Sequence, residues 1–168
     1  FFGTDFGAVT SGLVTYHFRT AFTFDGNPMS VRLLLTYILD DGAVFYLNGV
    51  EVARSPLMPV GTITTDTTTT TFRPQAEEGT AEGPFTISAA NLVKGTNVFA
   101  VEVHQNVGTS SDVVFGMTLV ATNLTGAAAT PGALNGVDSL VPIVPAVMIN
   151  EIGSADTTPW VELYNAST

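Results

Sequence analysis

The stretch from Val31 to Arg54, VRLLLTYILDDGAVFYLNGVEVAR, constrains the fold more than any other. It holds three apolar runs separated by an Asp-Asp-Gly turn and an Asn-Gly turn. Asn48-Gly49 sits between Leu47 and Val50. A two-residue type I′ turn needs φ > 0 at both central positions, and Asn-Gly meets that need at low steric cost. The turn predicts a hairpin in which Leu47 faces Val50, Tyr46 faces Glu51, Phe45 faces Val52 and Val44 faces Ala53. Opposed residues share a face, so Phe45, Leu47, Val50 and Val52 form an apolar patch that a second layer must cover.

The flanking sequence supplies such a layer. From Val14 to Phe24, residues Val14, Tyr16, Phe18, Phe22 and Phe24 alternate with Thr15, His17, Arg19, Ala21 and Thr23, the pattern of a half-buried strand. In Val31 to Leu39 both faces are partly apolar, which predicts a central strand. Asp40-Asp41-Gly42 then reads as turn chemistry, with Asp bonding its own backbone and Gly supplying φ > 0. Pro56 and Pro59 break the sheet. The tract TITTDTTTTTF, residues 62–72, is expected to be an exposed edge strand or a long surface excursion, with an O-glycosylated tract as the functional alternative. Residues Arg73 to Pro84 read as a solvated loop. Strands resume at Phe85 to Ile87, follow Gly95 through Val98 to Val103, and return at Val113 to Ala121, with one helical turn at Ser88 to Leu92. This gives roughly eight short strands, no sustained helical period, and an all-β sandwich.

Composition narrows the setting. The 168 residues include 15 acidic and 5 basic side chains, for a formal net charge of -10. That excludes partners which are themselves polyanions, nucleic acid and anionic membrane surfaces among them. Charged residues are only 12% of the chain and hydrophobic ones 45%, a balance typical of extracellular β domains. Cysteine is absent, so no disulfide staples the fold. No apolar run is long enough for a membrane helix. The chain begins Phe1-Phe2 without Met or a signal peptide, which predicts a processed or excised segment.

Two resemblances follow from particular motifs. LDDGAVFYLNGVEVAR (Leu39 to Arg54), NLVKGTNVFAVEVHQ (Asn91 to Gln105) and the following SSDVVF resemble the galactose-binding-like jelly roll over about residues 16–122. The resemblance implies a jelly-roll β-sandwich, the fold of secreted bacterial modules that are either carbohydrate-binding or purely structural. VMINEI (Val147 to Ile152) and WVELYN (Trp160 to Asn165), with TPGALN (Thr130 to Asn135) before them, resemble the beginning of a lamin-tail domain, an immunoglobulin-like sandwich. The implied organisation is a β-sandwich over 1–125, an Ala/Gly/Pro-rich linker over 126–146, and two partial lamin-tail-like strands over 147–168. Two strands cannot bury Met148, Ile152, Trp160 and Leu163 by themselves. Val147, Met148, Ile149, Ile152, Trp160, Val161 and Leu163 are therefore the candidate assembly residues, engaging a neighbouring domain or a second copy by strand donation.

Sites are sparse. His104, with Ser110, Ser111 and Asp112 following, is the one catalytic candidate, but neither a nucleophile elbow nor an oxyanion hole has a signature here. The expected role is a strand-end His bonded to a nearby Ser or Asp. His17 is the only other His, too few for a zinc site without Cys. No cofactor is implied. Jelly-roll modules often hold a structural calcium, and Asp25, Asp40, Asp41 and Asp112, all at expected turns, are the candidate metal ligands. Exposed aromatics for a sugar platform are few: Trp160 is the only Trp, and the 11 Phe suit a core. Asn123-Leu124-Thr125 and Asn165-Ala166-Ser167 match the glycosylation triplet. The expected function is a non-catalytic extracellular or cell-surface structural or adhesive module, of bacterial type, that self-associates or binds neighbouring domains. The alternative is a carbohydrate-binding module of a larger secreted or cell-surface enzyme.

Overall fold

The computed structural model describes residues 12–74, 77, 79–110 and 112–124, and the backbone of 147–153 and 160–165. Residues 12–124 form an all-β structure of two antiparallel sheets. The first has the order β1-β6-β3-β4 and the second β5-β2-β7. The strands are β1 (Thr15–Phe24), β2 (Val31–Asp40), β3 (Gly42–Leu47), β4 (Val50–Arg54), β5 (Glu82–Ile87), β6 (Gly95–His104) and β7 (Val114–Asn123). Seven strands build the sandwich rather than the eight expected. The difference is the Thr-rich tract, which forms no strand.

The alternation in β1 works as anticipated: Phe18, Phe22 and Phe24 are buried, while His17, Arg19, Ala21 and Thr23 are exposed. β2 is the central strand of its sheet, and its inner-face residues Leu33, Leu35, Tyr37 and Leu39 are buried. They pack against Phe45 and Leu47 of β3 and Phe99, Val101 and Val103 of β6. The Tyr37 ring stacks between the sheets, 5.2 Å from Phe45 and 5.4 Å from Phe85. Phe18 of β1 meets Phe115 of β7 at 4.8 Å, so these two strands lie on the same side of the sandwich.

The Asn-Gly hairpin forms, with Asn48 at φ 52° and Gly49 at φ 82°. Its register agrees with the sequence reading for Leu47↔Val50 and Tyr46↔Glu51 and then slips. A bulge pairs Phe45 with Ala53 and Val44 with Arg54. The slip breaks the expected patch: Phe45 and Leu47 are fully buried, Val52 packs against the core from a partly buried position, and Val50 is 48% exposed. Two asparagines hold the turn in place. The Asn48 N–H donates to Val98 O (2.8 Å), and the Val98 N–H donates to Asn48 Oδ1 (2.8 Å). Asn48 Nδ2 donates to Asn91 O (2.7 Å) and to Oδ1 of the fully buried Asn97 (2.9 Å). Asn97 in turn closes the loop before β6 through Val93 and Gly95. The Asn-Gly turn and the LVKGTN segment are therefore one hydrogen-bonded unit.

Residues 55–73 form no strand. They make the long surface excursion that was one of the two expectations for the Thr-rich tract, and what the sequence did not announce is that it folds back onto the sheet. It lies over the outer face of the four-stranded sheet and buries Val44 and Gly42 from outside, with Met58 and Thr69 buried against them. Gly42 shows why the residue must be small. A Cβ there would stand 2.5 Å from Thr69 Cγ2 and 2.8 Å from Met58 Sδ. Close approach, not the positive φ expected, is what Gly42 provides. Gly42→Ala should lower unfolding stability by about 1–3 kcal/mol, the usual range for overpacking. Urea denaturation monitored by circular dichroism would measure the loss.

Candidate functional site

At one end of the sandwich, β2 hands over to β3, β6 ends and β1 begins. There the roofing segment meets the loop after β6. Polar side chains are buried here in unusual number: Thr15, Asp40, Asp41, Ser55, Thr69, Arg73, His104 and Gln105. Buried polar groups must be paired, so each reveals a constraint.

Asp41 is the central tie. Its Oδ1 accepts the Arg73 backbone N–H (2.6 Å), and its Oδ2 accepts the Asn106 N–H (2.8 Å). One carboxylate thus clamps two loops that are 32 and 65 residues away in sequence. The expected self-bonding Asp turn is replaced by this long-range link. Arg73, expected in a solvated loop, is buried and ion-paired with Glu82 of β5 at 2.6 Å. Thr69 N–H donates to Gln105 O (3.2 Å), and the Gln105 N–H donates to Val14 O (2.8 Å). Gln105 Nε2 also donates to Asp112 O.

His104 is fully buried beneath the roof. Its Nδ1 lies 2.8 Å from Thr67 O and 3.0 Å from Thr15 Oγ1. A carbonyl only accepts, so Nδ1 carries the proton. Thr15 Oγ1 spends its own proton on Thr65 O (2.7 Å). Nε2 faces Glu102 Oε2 at 3.6 Å. Of the expected partners, Ser110 Oγ donates to Asp112 O (3.4 Å) and Ser111 lies outside the described residues; the Nδ1 of His104 bonds Thr67 O and Thr15 Oγ1 instead. The Thr15 hydroxyl is not poised as a nucleophile, because the imidazole nitrogen beside it is a donor and not a base.

Next along the same outer face lie His17, Glu102 and Val44, followed by Arg19, Ala100 and Tyr46. Glu102 is shared. Its Oε2 accepts from Tyr46 Oη (3.0 Å), and its Oε1 is 3.8 Å from His17 Nδ1. Burial, and then the bond to Glu102, push the Tyr46 phenol up to about 12. Burial and then the Glu82 charge raise Tyr37 to about 12, with Arg73 opposing. On the other sheet, a shallow hollow lined by Thr36, Ile38, Gly116 and Thr118 carries no charged side chain.

The four candidate metal ligands are divided. Asp40, Asp41 and Asp112 lie at the polar end, and Asp25 follows β1 at the opposite end. Asp40 and Asp41 are buried, and Asp25 and Asp112 are exposed. Among the described residues, no three His, Asp or Glu side chains converge as metal ligands would. No described helix is long and apolar enough to cross a membrane. Of the assembly candidates Val147, Met148, Ile149, Ile152, Trp160, Val161 and Leu163, only the backbone is described. It forms β8 (Val147–Gly153) and β9 (Trp160–Asn165), which pair antiparallel with one another and join neither sheet. Their side chains, the linker over 126–146 and the glycosylation triplets' Thr125 and Ser167 lie outside the described residues. Comparison with protein-family models, curated proteins and solved structures found no match to this chain.

What sequence reasoning missed here is the roof. One signal was available: Val44 and Gly42 alternate onto the polar face of β3, where an apolar and a tiny residue imply a cover.

Two measurements follow from this geometry. Asp41→Ala strands two buried N–H donors and should cost roughly 2–5 kcal/mol in urea denaturation, with Asp41→Asn losing less because one acceptor oxygen survives. Tyr37 and Tyr46 stay protonated in the fold after free phenols have ionised at their usual value near 10.0. The unfolded chain then binds fewer protons than the folded one. Their contribution is therefore intact below pH 10 and is lost as pH rises from about 10 towards about 12. Burial raises the Tyr16 phenol as well, so phenolate absorbance at alkaline pH should show three late-titrating tyrosines in the folded protein, and Tyr46→Phe should remove one of them.

Proposed function

We propose that this chain is a non-catalytic structural or adhesive module of the extracellular space or cell surface, which associates with neighbouring domains or copies through its C-terminal strands. The observation that carries this reading is the contrast between two parts. Residues 15–123 close a core between two sheets, whereas β8 and β9 form a two-stranded sheet by themselves. An isolated hairpin is marginal in water and gains stability by joining a larger sheet. The resemblance of VMINEI and WVELYN to the start of a lamin-tail domain supports the same reading, as does the jelly-roll resemblance of the segment before them.

The buried polar end fits a structural role. Asp41, Arg73, His104 and Gln105 are occupied in tying loops to the sheets, and His104 has a proton-bearing nitrogen against a backbone carbonyl. The glycan-binding alternative finds less support. Tyr37, Phe45 and Phe99 are core rings, Tyr46 is half-buried with its hydroxyl on Glu102, and the exposed rings among the described residues, Phe72 in the roofing segment and Phe85 on β5, belong to separate elements. A sugar platform needs such rings outside.

Truncation after Thr125 tests the reading. The shortened chain should keep its cooperative unfolding and lose self-association in sedimentation velocity. A truncated chain that still forms the same oligomer or fibre would overturn the proposal.

A further inference from the structure

The sandwich has four edge strands, and they are not equivalent. β4 is a five-residue strand broken by a bulge, and its Arg54 is tied to Glu51, Pro59 O and Gly61 O. β5 contains Pro84, which has no N–H to offer, and Gly83 at φ +113°. Short length, bulges and proline are the ordinary ways of closing an edge to further pairing. These two strands lie on one side. On the other side, β1 and β7 each run for ten residues in unbroken register with their neighbours. β8 runs beside β7 without joining its sheet, and among the described residues nothing pairs with the outer edge of β1.

Charge separates the two open edges. β7, VFGMTLVATN, carries no charged residue. β1, TYHFRTAFTF, carries Arg19 and His17 and no acid. Arg19 is exposed and forms no ion pair among the described residues, in a chain with only 5 basic side chains against 15 acidic. The tail strands are the reverse: VMINEIG and WVELYN hold Glu151 and Glu162 and no Lys or Arg.

Resting on the C-terminal association proposed above, we propose that the outer edge of β1 accepts β9 of a second copy, antiparallel, with Glu162 opposite Arg19. That register sets Leu163 against Phe18, Val161 against Thr20 and Tyr164 against His17. The period of two then puts Val161 and Leu163 on the face shared with Phe18 and Phe22, which is the core face of β1. A slip by one residue would carry Glu162 onto that face, so the alternation fixes the parity of the pairing, and the Arg19–Glu162 charge pair selects this register over those two residues away. The contact is heterologous, since the donor strand and the acceptor edge are different parts of the chain, and it propagates into a fibre unless it closes into a ring.

Charge reversal in the full chain tests this. Arg19 is exposed, so Arg19→Glu leaves folding intact, and like charges across the new pair should weaken self-association roughly ten-fold or more in sedimentation equilibrium. Glu162→Arg should do the same, and the double variant Arg19→Glu/Glu162→Arg should return to near the parent value. A second measurement uses the absence of cysteine. Mixing a Thr20→Cys chain with a Val161→Cys chain under mild oxidation should give a disulfide between copies. If either single reversal leaves association unchanged, or the double variant fails to recover, the assignment of β1 is overturned. It is equally overturned if a chain carrying both cysteines closes the bond within a monomer. Loss of association on truncation after Thr125 with no effect of Arg19→Glu would sink this edge while sparing C-terminal association. Association that survives truncation would end both.

Discussion

The rest of the structure depends on the inner face of β2. Leu33, Leu35, Tyr37 and Leu39 project from the middle strand of the smaller sheet, and each is nearly or wholly removed from water. A fully buried side chain of this size contributes on the order of 1.5–3 kcal/mol relative to exposure. With no disulfide, that apolar contact is what holds the sheets face to face. Tyr37 sits in the same row, yet its ring stacks on Phe45 of the opposite sheet and on Phe85 of the neighbouring strand. The aromatic stack therefore links β2 to both sheets at once.

A second layer of organisation is imposed from outside. Residues 55–73 cover one half of the outer face of the four-stranded sheet, so at that end the sheet is buried on both sides. Burial on both sides explains the polar network. Loops folded over a sheet bring backbone N–H and C=O groups out of water, and those groups need partners. Asp41 accepts the N–H groups of Arg73 and Asn106, and Thr15 and His104 donate to the carbonyls of Thr65 and Thr67. A cluster of this kind resembles an active site in its composition; Asp41, His104 Nδ1 and Gln105 Nε2 are engaged with backbone, whereas His104 Nε2, Gln105 Oε1 and Arg73 Nε are buried without a hydrogen bond. The other half of the same face, around Arg19, Tyr46 and Glu102, stays partly open and carries the exposed charges.

Much of the sandwich was legible in the sequence because period-two alternation and Asn-Gly chemistry are local. β1, β2, β3 and β7 could be placed within a residue or two, β6 starts three residues before the alternation at Val98 announced it, and β2 could be recognised as central because Leu34 and Ile38 made its second face apolar. The register of the β3–β4 hairpin could be read only as far as Tyr46–Glu51. Beyond it, the bulge answers to packing of Val52 and Ala53 against the core, which no local signal encodes. For residues 62–72 the sequence left two readings open, an edge strand and a surface excursion, and the excursion is what forms: threonine favours strands when it can pack on a pleated surface, but here its hydroxyls at Thr67, Thr69 and Thr70 bond loop backbone. Asp41 was misread because turn propensity concerns neighbours, whereas its actual partners are remote. Similarly, no local signal marks Asn97 as a fully buried hub, because its partners Asn48, Val93 and Gly95 are brought together only by the fold.

The hub gives the Asn48-Gly49 turn a chemical vulnerability. Asparagine followed by glycine is the dipeptide most prone to spontaneous loss of ammonia, since the glycine N–H is free to attack the side-chain amide through a cyclic imide. Here the amide nitrogen of Asn48 is the donor to two acceptors, Asn91 O and Asn97 Oδ1. Deamidation would replace that donor with a carboxylate oxygen and set three acceptors against one another, while an isoaspartyl product would lengthen the backbone by one carbon inside the tightest turn of the sheet. Those same bonds hold the amide in place and so slow the cyclisation. The turn is thus guarded against this reaction by the very hydrogen bonds that its product would destroy.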